Sequence, residues 1–317
     1  MEIKQLQSLV AISEHGSFSA AAKSLDTVQS NISAHISRLE KELNVVLIER
    51  STGLLTDEGE IVLARARRIL HEVEDIDADI HSLGAETTGD CRLGTLGTTA
   101  RWLMPSLLGS LSRHLPGVRT TVVEGSTSSL LPRIRSGEID AAIVHLPIAD
   151  TDLEATELFA EELFLIAPTK HVLARHSSIT IEELAEHPLL LAPRGTASRR
   201  IIDRAAANKG CFLTPQAEID GVRLMASLVY EGFGAAIVPA SAIPVWLQGD
   251  FVRISVPELP RRVVGWVQRP RPRPNRATMA VRERVVQVIA RHAPRQPGIS
   301  LDVAAISAKG PRPTLTV

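Results

Sequence analysis

The chain has 317 residues, 44% of them hydrophobic and 22% charged, and a formal net charge of −1. That length suits roughly two or three domains and the composition is ordinary for globular protein, which sets aside a disordered or fibrous chain. With neither a long apolar run nor a signal-peptide pattern, a soluble cytoplasmic protein that does not engage the membrane is expected.

The first expected helix covers 2–14, buries Leu6, Leu9 and Val10, and stops at His15-Gly16, where glycine suits a helix end. A second, about 19–25, holds Ala20, Ala21 and Ala22, small residues that let two helices cross closely. In a third, Ile32, Ile36, Leu39 and Leu43 recur at helical spacing. Its other side carries Ser30, Ser33, Ala34, Ser37 and Lys41, flanked by Asn31 and Arg38. Asp26 or Thr27 is the expected cap, and with Asp26 in that role Gln29 completes a capping box at the helix entrance. A small, polar outward face after a tight turn is the outline of a helix-turn-helix that can approach a duplex. Two surface helices of an α bundle would show the same spacing.

Ser17-Phe18, Ala21-Ala22, Leu25, Gln29, Ser33, Leu39-Glu40, Glu42-Leu43, Leu47, Glu49-Arg50, Leu55-Thr56 and Gly59 follow one another in a specific order. In that order the segment resembles the N-terminal domain of LysR-type transcriptional regulators. Asn44 replaces a glycine of the family pattern, a change that asparagine's tolerance of left-handed angles accommodates. Ile48 replaces a phenylalanine, the wing between Arg50 and Leu55 is about two residues short, and Ala34 stands where a longer side chain is common. The resemblance implies a winged helix-turn-helix over 1–56 that binds double-stranded promoter DNA. Gln29, Ser30, Ser33 and His35 are candidates for base contact, and Asn31, Arg38 and Arg50 for phosphates. Residues 1–56 carry five basic and six acidic side chains, so few phosphate contacts and a shallow salt dependence are expected.

Thr56, followed by Asp57-Glu58, caps a long helix. Its stripe of Val62, Ala66, Ile69, Val73, Ile76, Ile80 and Leu83 alternates four and three, the heptad spacing of a helix that meets a partner. A homodimer through 57–83 is expected, the linker helix running to 84; packing on its own domain is the alternative. The resemblance implies doubling to a homotetramer. Small polar residues at 85–90 suggest a hinge.

Beyond it strands alternate with helices: strands at 91–97, 118–124, 139–145, 158–168, 187–192, 235–238 and 262–268, and helices at 102–114, 128–136, 198–209, 222–231 and 277–292. The fold class is therefore α/β, doubly wound. The phrases Leu103-Met104-Pro105, His114-Leu115-Pro116, Gly137-Glu138-Ile139-Asp140 and Glu231-Gly232-Phe233-Gly234 resemble the LysR-type effector domain, a periplasmic-binding-protein-like pair of lobes. The implied domain is 91–295, with a first lobe of 91–164 and 265–295 and a second of 165–264. The tail, 296–317, is expected to be disordered. Residues 261–317 carry twelve basic and two acidic residues, read as a solvated basic face that meets acidic neighbours.

In such a sensor the ligand lies beyond the C-terminal ends of parallel strands, among helix N-termini. That selects Thr98, Thr99, Ser126, Thr127, Leu146 and Pro147 in the first lobe and Thr196, Ser198 and Val222 in the second as effector-binding candidates, for a small molecule with an acid among the options. Each hydroxyl is also an ordinary cap. Arg194, Arg199 and Arg200 could add charge or form surface ion pairs. No catalytic residue, cofactor or metal site is expected: no HExxH or GxSxG occurs, and GTLGTT at 94–99 lacks the lysine of a phosphate loop. Cys91 and Cys211, without a CxxC pair or histidine cluster, argue against a disulfide scaffold or structural zinc. The reading is a LysR-type regulator, with a sensing module that never touches DNA, or an enzyme on the α/β body, as the alternatives.

Overall fold

The computed structural model describes residues 1–50, 52–81, 87–271 and 273–301. Three helices, α1 (Ile3–His15), α2 (Phe18–Ser24) and α3 (Gln29–Leu43), lead into the long α4 (Asp57–His81). Leu9, Ile12, Ala21, Ile32, Ile36, Leu39 and Leu47 close completely over one core. Ser17 caps α2 through Ala20 N, and α1 ends at Gly16 and α3 at Asn44, both left-handed. Ile48 bridges Leu55 across a short wing. Thr56 Oγ1 accepts from Gly59 N at 3.0 Å, the expected cap of α4. A Cβ on Gly59 would lie 2.2 Å from the Leu47 carbonyl oxygen, so only glycine lets α4 start this close to the wing.

The cap of α3 differs from expectation. Asp26 takes a left-handed conformation (φ 49°), and Val28 occupies the cap position without a side-chain bond. Thr27 instead accepts from Asn31 Nδ2 at 2.9 Å.

The stripe of α4 also divides. Ala66 is fully buried and Val62 packs beside it in the winged-helix core, whereas Ile69, Val73, Ile76 and Ile80 are 37–63% exposed. The first turns thus serve their own domain, and only the stretch from Ile69 is free to meet a partner. Leu83 and the first two hinge positions, 85 and 86, lie outside the described residues, and the last two, Gly89 and Asp90, already belong to the first strand.

The rest forms two sheets. In chain order come β1 (Gly89–Thr95), α5 (Gly97–His114), β2 (Val118–Glu124), α6 (Thr127–Ser136), β3 (Ala141–Leu146), β4 (Glu154–Glu161) and β5 (Leu163–Pro168). Then follow α7 (Ile181–Ala185), β6 (Leu189–Leu191), α8 (Ala197–Asn208), β7 (Pro215–Glu218), α9 (Val222–Tyr230) and β8 (Ala235–Pro239). Last are β9 (Phe251–Ser255), β10 (Arg262–Gln268), α10 (Arg276–His292) and β11 (Ile299–Ser300). The first sheet runs β11-β4-β10-β3-β1-β2 and the second β7-β6-β8-β5-β9. In the first, β1 lies parallel to β2 and β3 while β10 is antiparallel to β3 and β4; in the second, β6 is parallel to β7 and β8. The chain changes sheet between β4 and β5 and returns between β9 and β10.

Three sequence expectations are revised here. The single strand read over 158–168 is two strands in different sheets. The helix expected from 102 starts at Gly97, placing Thr98 and Thr99 in its first turn. The tail is not free from 296: Gln296 is 3% exposed, its Nε2 donates to Ala240 and Ile243 carbonyls, and β11 pairs with β4. Residues 302–317 lie outside the described residues. Phe159 packs edge-on against Trp102 (5.3 Å between centroids) in the first lobe's core, with Trp266 buried nearby. Leu165, Leu189 and Ile237 centre the second.

Candidate DNA interface and effector cleft

The outward face of α3 is the first candidate site. Ile32, Ile36 and Leu39 are fully buried, so helical geometry turns Gln29, Ser30, Asn31 and Arg38 outward, where all four are exposed; Ser33 is half-buried. Gln29 Oε1 accepts from Ser19 Oγ at 3.0 Å, which ties α2 to the start of the reading helix. An open groove at the turn is lined by Ser19, Ala22, Lys23, Asp26, Thr27, Val28 and Gln29. Arg50 reaches back from the wing to Ser37 Oγ at 2.8 Å, with Glu40 3.6 Å away. His35 is placed differently from the others: its Nδ1 lies 2.9 Å from Ser8 Oγ, so the ring faces α1 rather than the free surface.

The second candidate is the cleft between the sheets. Parallel pairing of β1, β2 and β3 aligns their C-terminal ends, and Thr98, Thr99, Ser126, Thr127, Leu146 and Pro147 gather there. Thr127 Oγ1 accepts from His145 N at 3.2 Å. Thr99 Oγ1 and His145 Nε2 are buried with no hydrogen-bond partner among the described residues. Burial, then the charges of Arg262 and Arg200, push the His145 imidazole down to about 4, so the ring is neutral at physiological pH.

Other candidates are engaged locally. Ser126 forms a capping box with Ser129, and Thr196 caps α8 through Arg199 N at 3.3 Å while donating to the Pro193 carbonyl. Ser198 and Val222 are half-buried at the starts of α8 and α9. Arg199 is not a cleft cation: it is 1% exposed and bound to Asp203, Glu218 and the Ala192 carbonyl. The lobes meet through Arg223 and Glu124 (2.8 Å), and through Arg101, whose guanidinium lies 6.0 Å from the Trp246 ring centroid.

Sequence reasoning missed four residues here. Arg262 Nη2 donates to Thr98 Oγ1 at 2.9 Å and its Nε to Glu161 Oε1 at 2.7 Å; Glu161 Oε2 accepts from Ser241 N at 2.8 Å. This buried chain joins both crossovers to the cleft floor. No sequence signal pairs residues a hundred positions apart. His145 was available to a reading that placed its strand end beside Leu146.

Among the described residues no helix is long and apolar enough to cross a membrane. Residues 3–60 match the model of the bacterial regulatory helix-turn-helix protein, lysR family, and residues 84–290 match that of the LysR substrate binding domain. The chain is 34% identical over 251 residues to a probable hydrogen peroxide-inducible genes activator of Mycobacterium leprae, covering 77% of this chain and 79% of the relative. It is 31% identical over 249 residues to a probable RuBisCO transcriptional regulator of Cyanophora paradoxa, covering 76% and 77%. A full-length OxyR variant from Pseudomonas aeruginosa superposes with a TM-score of 0.72 at 25% identity, covering 91% and 94%. These relatives are regulators, not enzymes. The chain belongs to the LysR family of DNA-binding transcriptional regulators with a small-molecule effector domain.

Proposed function

We propose that this regulator reads promoter DNA as a homodimer paired through Ile69, Val73, Ile76 and Ile80, and that a small acid bound between the lobes sets its output. The observation that carries the DNA reading is the exposed row Gln29, Ser30, Asn31 and Arg38 on a helix whose opposite side is fully buried. Gln29, Ser30 and Ser33 serve base edges; Asn31, Arg38 and Arg50 serve phosphates. His35, held by Ser8, is left out. Pairing of two dimers into a tetramer follows the family pattern.

In the cleft, Thr99 Oγ1, His145 Nε2 and the first turn of α5 offer polar groups to an anion, with Arg200 adding charge from the other lobe. Leu146, Pro147 and Val222 supply apolar wall; Thr98, Ser126, Thr127, Thr196 and Ser198 shape the rim. Relatives of similar identity are named for peroxide response and for RuBisCO regulation, so the signal is argued from this chain's own residues. Thiol oxidation fits them poorly. Cys91 is fully buried in the first lobe, and burial, then the Asp140 charge, push its thiol up to about 12. Cys211 sits in the second lobe with its Sγ 3.4 Å from the Ala206 carbonyl.

Binding to a selected operator and to scrambled duplex tests the DNA reading. Gln29→Ala should cut the specificity ratio about tenfold, one base contact's worth, while Arg38→Ala weakens both duplexes alike. An unchanged ratio for Gln29→Ala removes it from the readout.

A further inference from the structure

His71 is 3% exposed on α4, yet sequence periodicity gives no reason for a buried histidine there. Its Nε2 lies 2.5 Å from Asp140 Oδ1, in the turn between α6 and β3, and 3.5 Å from Asp75 Oδ2. Asp140 Oδ2 also accepts from Arg92 N of β1 at 2.6 Å. One turn further along α4, Glu74 meets Arg92 Nη2 at 3.2 Å and Asp75 accepts from Asn275 Nδ2, the cap of α10, at 2.6 Å. Residues 71, 74 and 75 are one face of a helix. At about 100° per residue that face is roughly 180° from Ile69, Val73, Ile76 and Ile80. The helix therefore carries an apolar seam on one side and a polar clasp onto the first lobe on the other. Beside the clasp, Arg68 runs so close to Gly137 that a Cβ there would lie 2.6 Å from Arg68 Cγ.

Arg92 Nη1 lies 3.3 Å from His71 Nδ1, a contact that a charged ring cannot accept. With Asp140, Asp75 and Glu74 all within 4 Å of the imidazole, the ring is read as charged and the guanidinium as Glu74's partner. A charge buried in this way is costly to leave unpaired, so the clasp tolerates one alignment of helix and lobe.

We propose that His71 is a positioning residue: clasped by Asp140, it fixes α4 to the first lobe, so that the seam on the helix's far side and the reading heads beyond keep one set orientation to the effector domain. The inference rests on the proposed pairing through α4. It implies that α4 and the first lobe move as one body and that closure of the second lobe is the variable motion.

The test uses full-length protein and an operator selected from random duplexes, remade with base pairs inserted between its half-sites. About five inserted base pairs, half a helical turn, should cost the wild type tenfold or more in affinity, with partial recovery at about ten. His71→Gln should hold the unaltered operator within about threefold yet lose most of this spacing discrimination, because a loosened joint lets the heads swivel. Hydrogen exchange over 68–76 should rise in the same variant. A merely stabilising histidine would lower affinity at every spacing alike, and full discrimination retained by His71→Gln overturns the proposal. Should that variant fold poorly, Arg92→Glu should relax the discrimination and Glu74→Arg added to it should restore it; no effect of either also overturns the proposal. A wild type indifferent to spacing overturns the pairing and the clasp's role together, and is told from failure of the clasp alone by the wild-type curve.

Discussion

Arg262 Nε lies 2.7 Å from Glu161 Oε1, and the two residues stand at the two places where the chain passes between the sheets. Their side chains are 5% and 0% exposed. Glu161 also accepts from Ser241 N of the second lobe, and Arg262 donates to Thr98 at the head of α5. The pair thus locks the crossover and positions the cleft floor. Arg262→Met strands a buried carboxylate and should destabilise the protein by about 3–5 kcal/mol in urea unfolding. Glu161→Gln with Arg262→Met should cost less than the single change. Equal losses would mean that the pair is not what the site depends on.

The pH dependence of stability follows from His71. The groups facing it are Glu74 and Asp75 on its own helix, Asp140, Asp90 and Arg92 from the turn and strand opposite, and Asn275 and Arg269 nearby. Burial opposes the charge, but bonds to Asp140 and Glu74, and the Asp140 and Asp75 charges, outweigh it and raise the ring to about 10 from 6.5. A raised folded-state value means stabilisation fully present below about 6.5 and lost as pH climbs towards about 10. The melting temperature should fall across that window in the wild type and fall less in His71→Gln. A parallel decline in both proteins would remove His71 as the cause.

In the cleft, Thr99→Val deletes a buried hydroxyl that has no partner among the described residues. The ligand-free protein should be as stable as wild type or up to about 1 kcal/mol more so, since an unsatisfied polar atom is removed. A small carboxylic acid that raises the wild-type melting temperature in a thermal-shift screen should raise that of Thr99→Val much less. An equal shift places the acid elsewhere.

Cysteine chemistry should be dispensable. Cys91→Ala with Cys211→Ala is expected to bind the operator with unchanged affinity, and hydrogen peroxide at sub-millimolar levels should leave wild-type binding unaltered. A peroxide response in the wild type that disappears in the double variant would bring the thiols back.

Much of this was readable in the sequence where one periodic face meets one core. Ile32, Ile36 and Leu39 announce α3, and β1 to β3 read as successive βα units. Reading failed where local signals conflict or long-range pairing decides. An aspartate before α3 looks like a cap, yet the tight turn needs Asp26 left-handed and hands the cap to Val28. Val62 and Ala66 continue the spacing of Ile69 to Ile80, but the wing and α1 cover them first. The first half of β4 and all of β7 are exposed and show no alternation, so their pairing was invisible. Nothing in the local sequence around Glu74 and Asp75 signals a partner; only the fold brings Arg92 and Asn275 against them.

The salt dependence of binding should be shallow. About three phosphate contacts per head, from Asn31, Arg38 and Arg50 with only two of them cationic, give a logarithmic slope no steeper than about −5 for a dimer. A slope near −10 for each bound dimer would reveal a cation surface outside α3 and the wing.

Footprinting the full-length protein on the DNA upstream of its own gene tests the paired reader most directly. Two protected half-sites should appear a helical turn or more apart, and both should vanish when Ile76→Glu and Ile80→Glu break the seam. One isolated patch, or no specific protection with or without small acids, would contradict a DNA reader paired through α4.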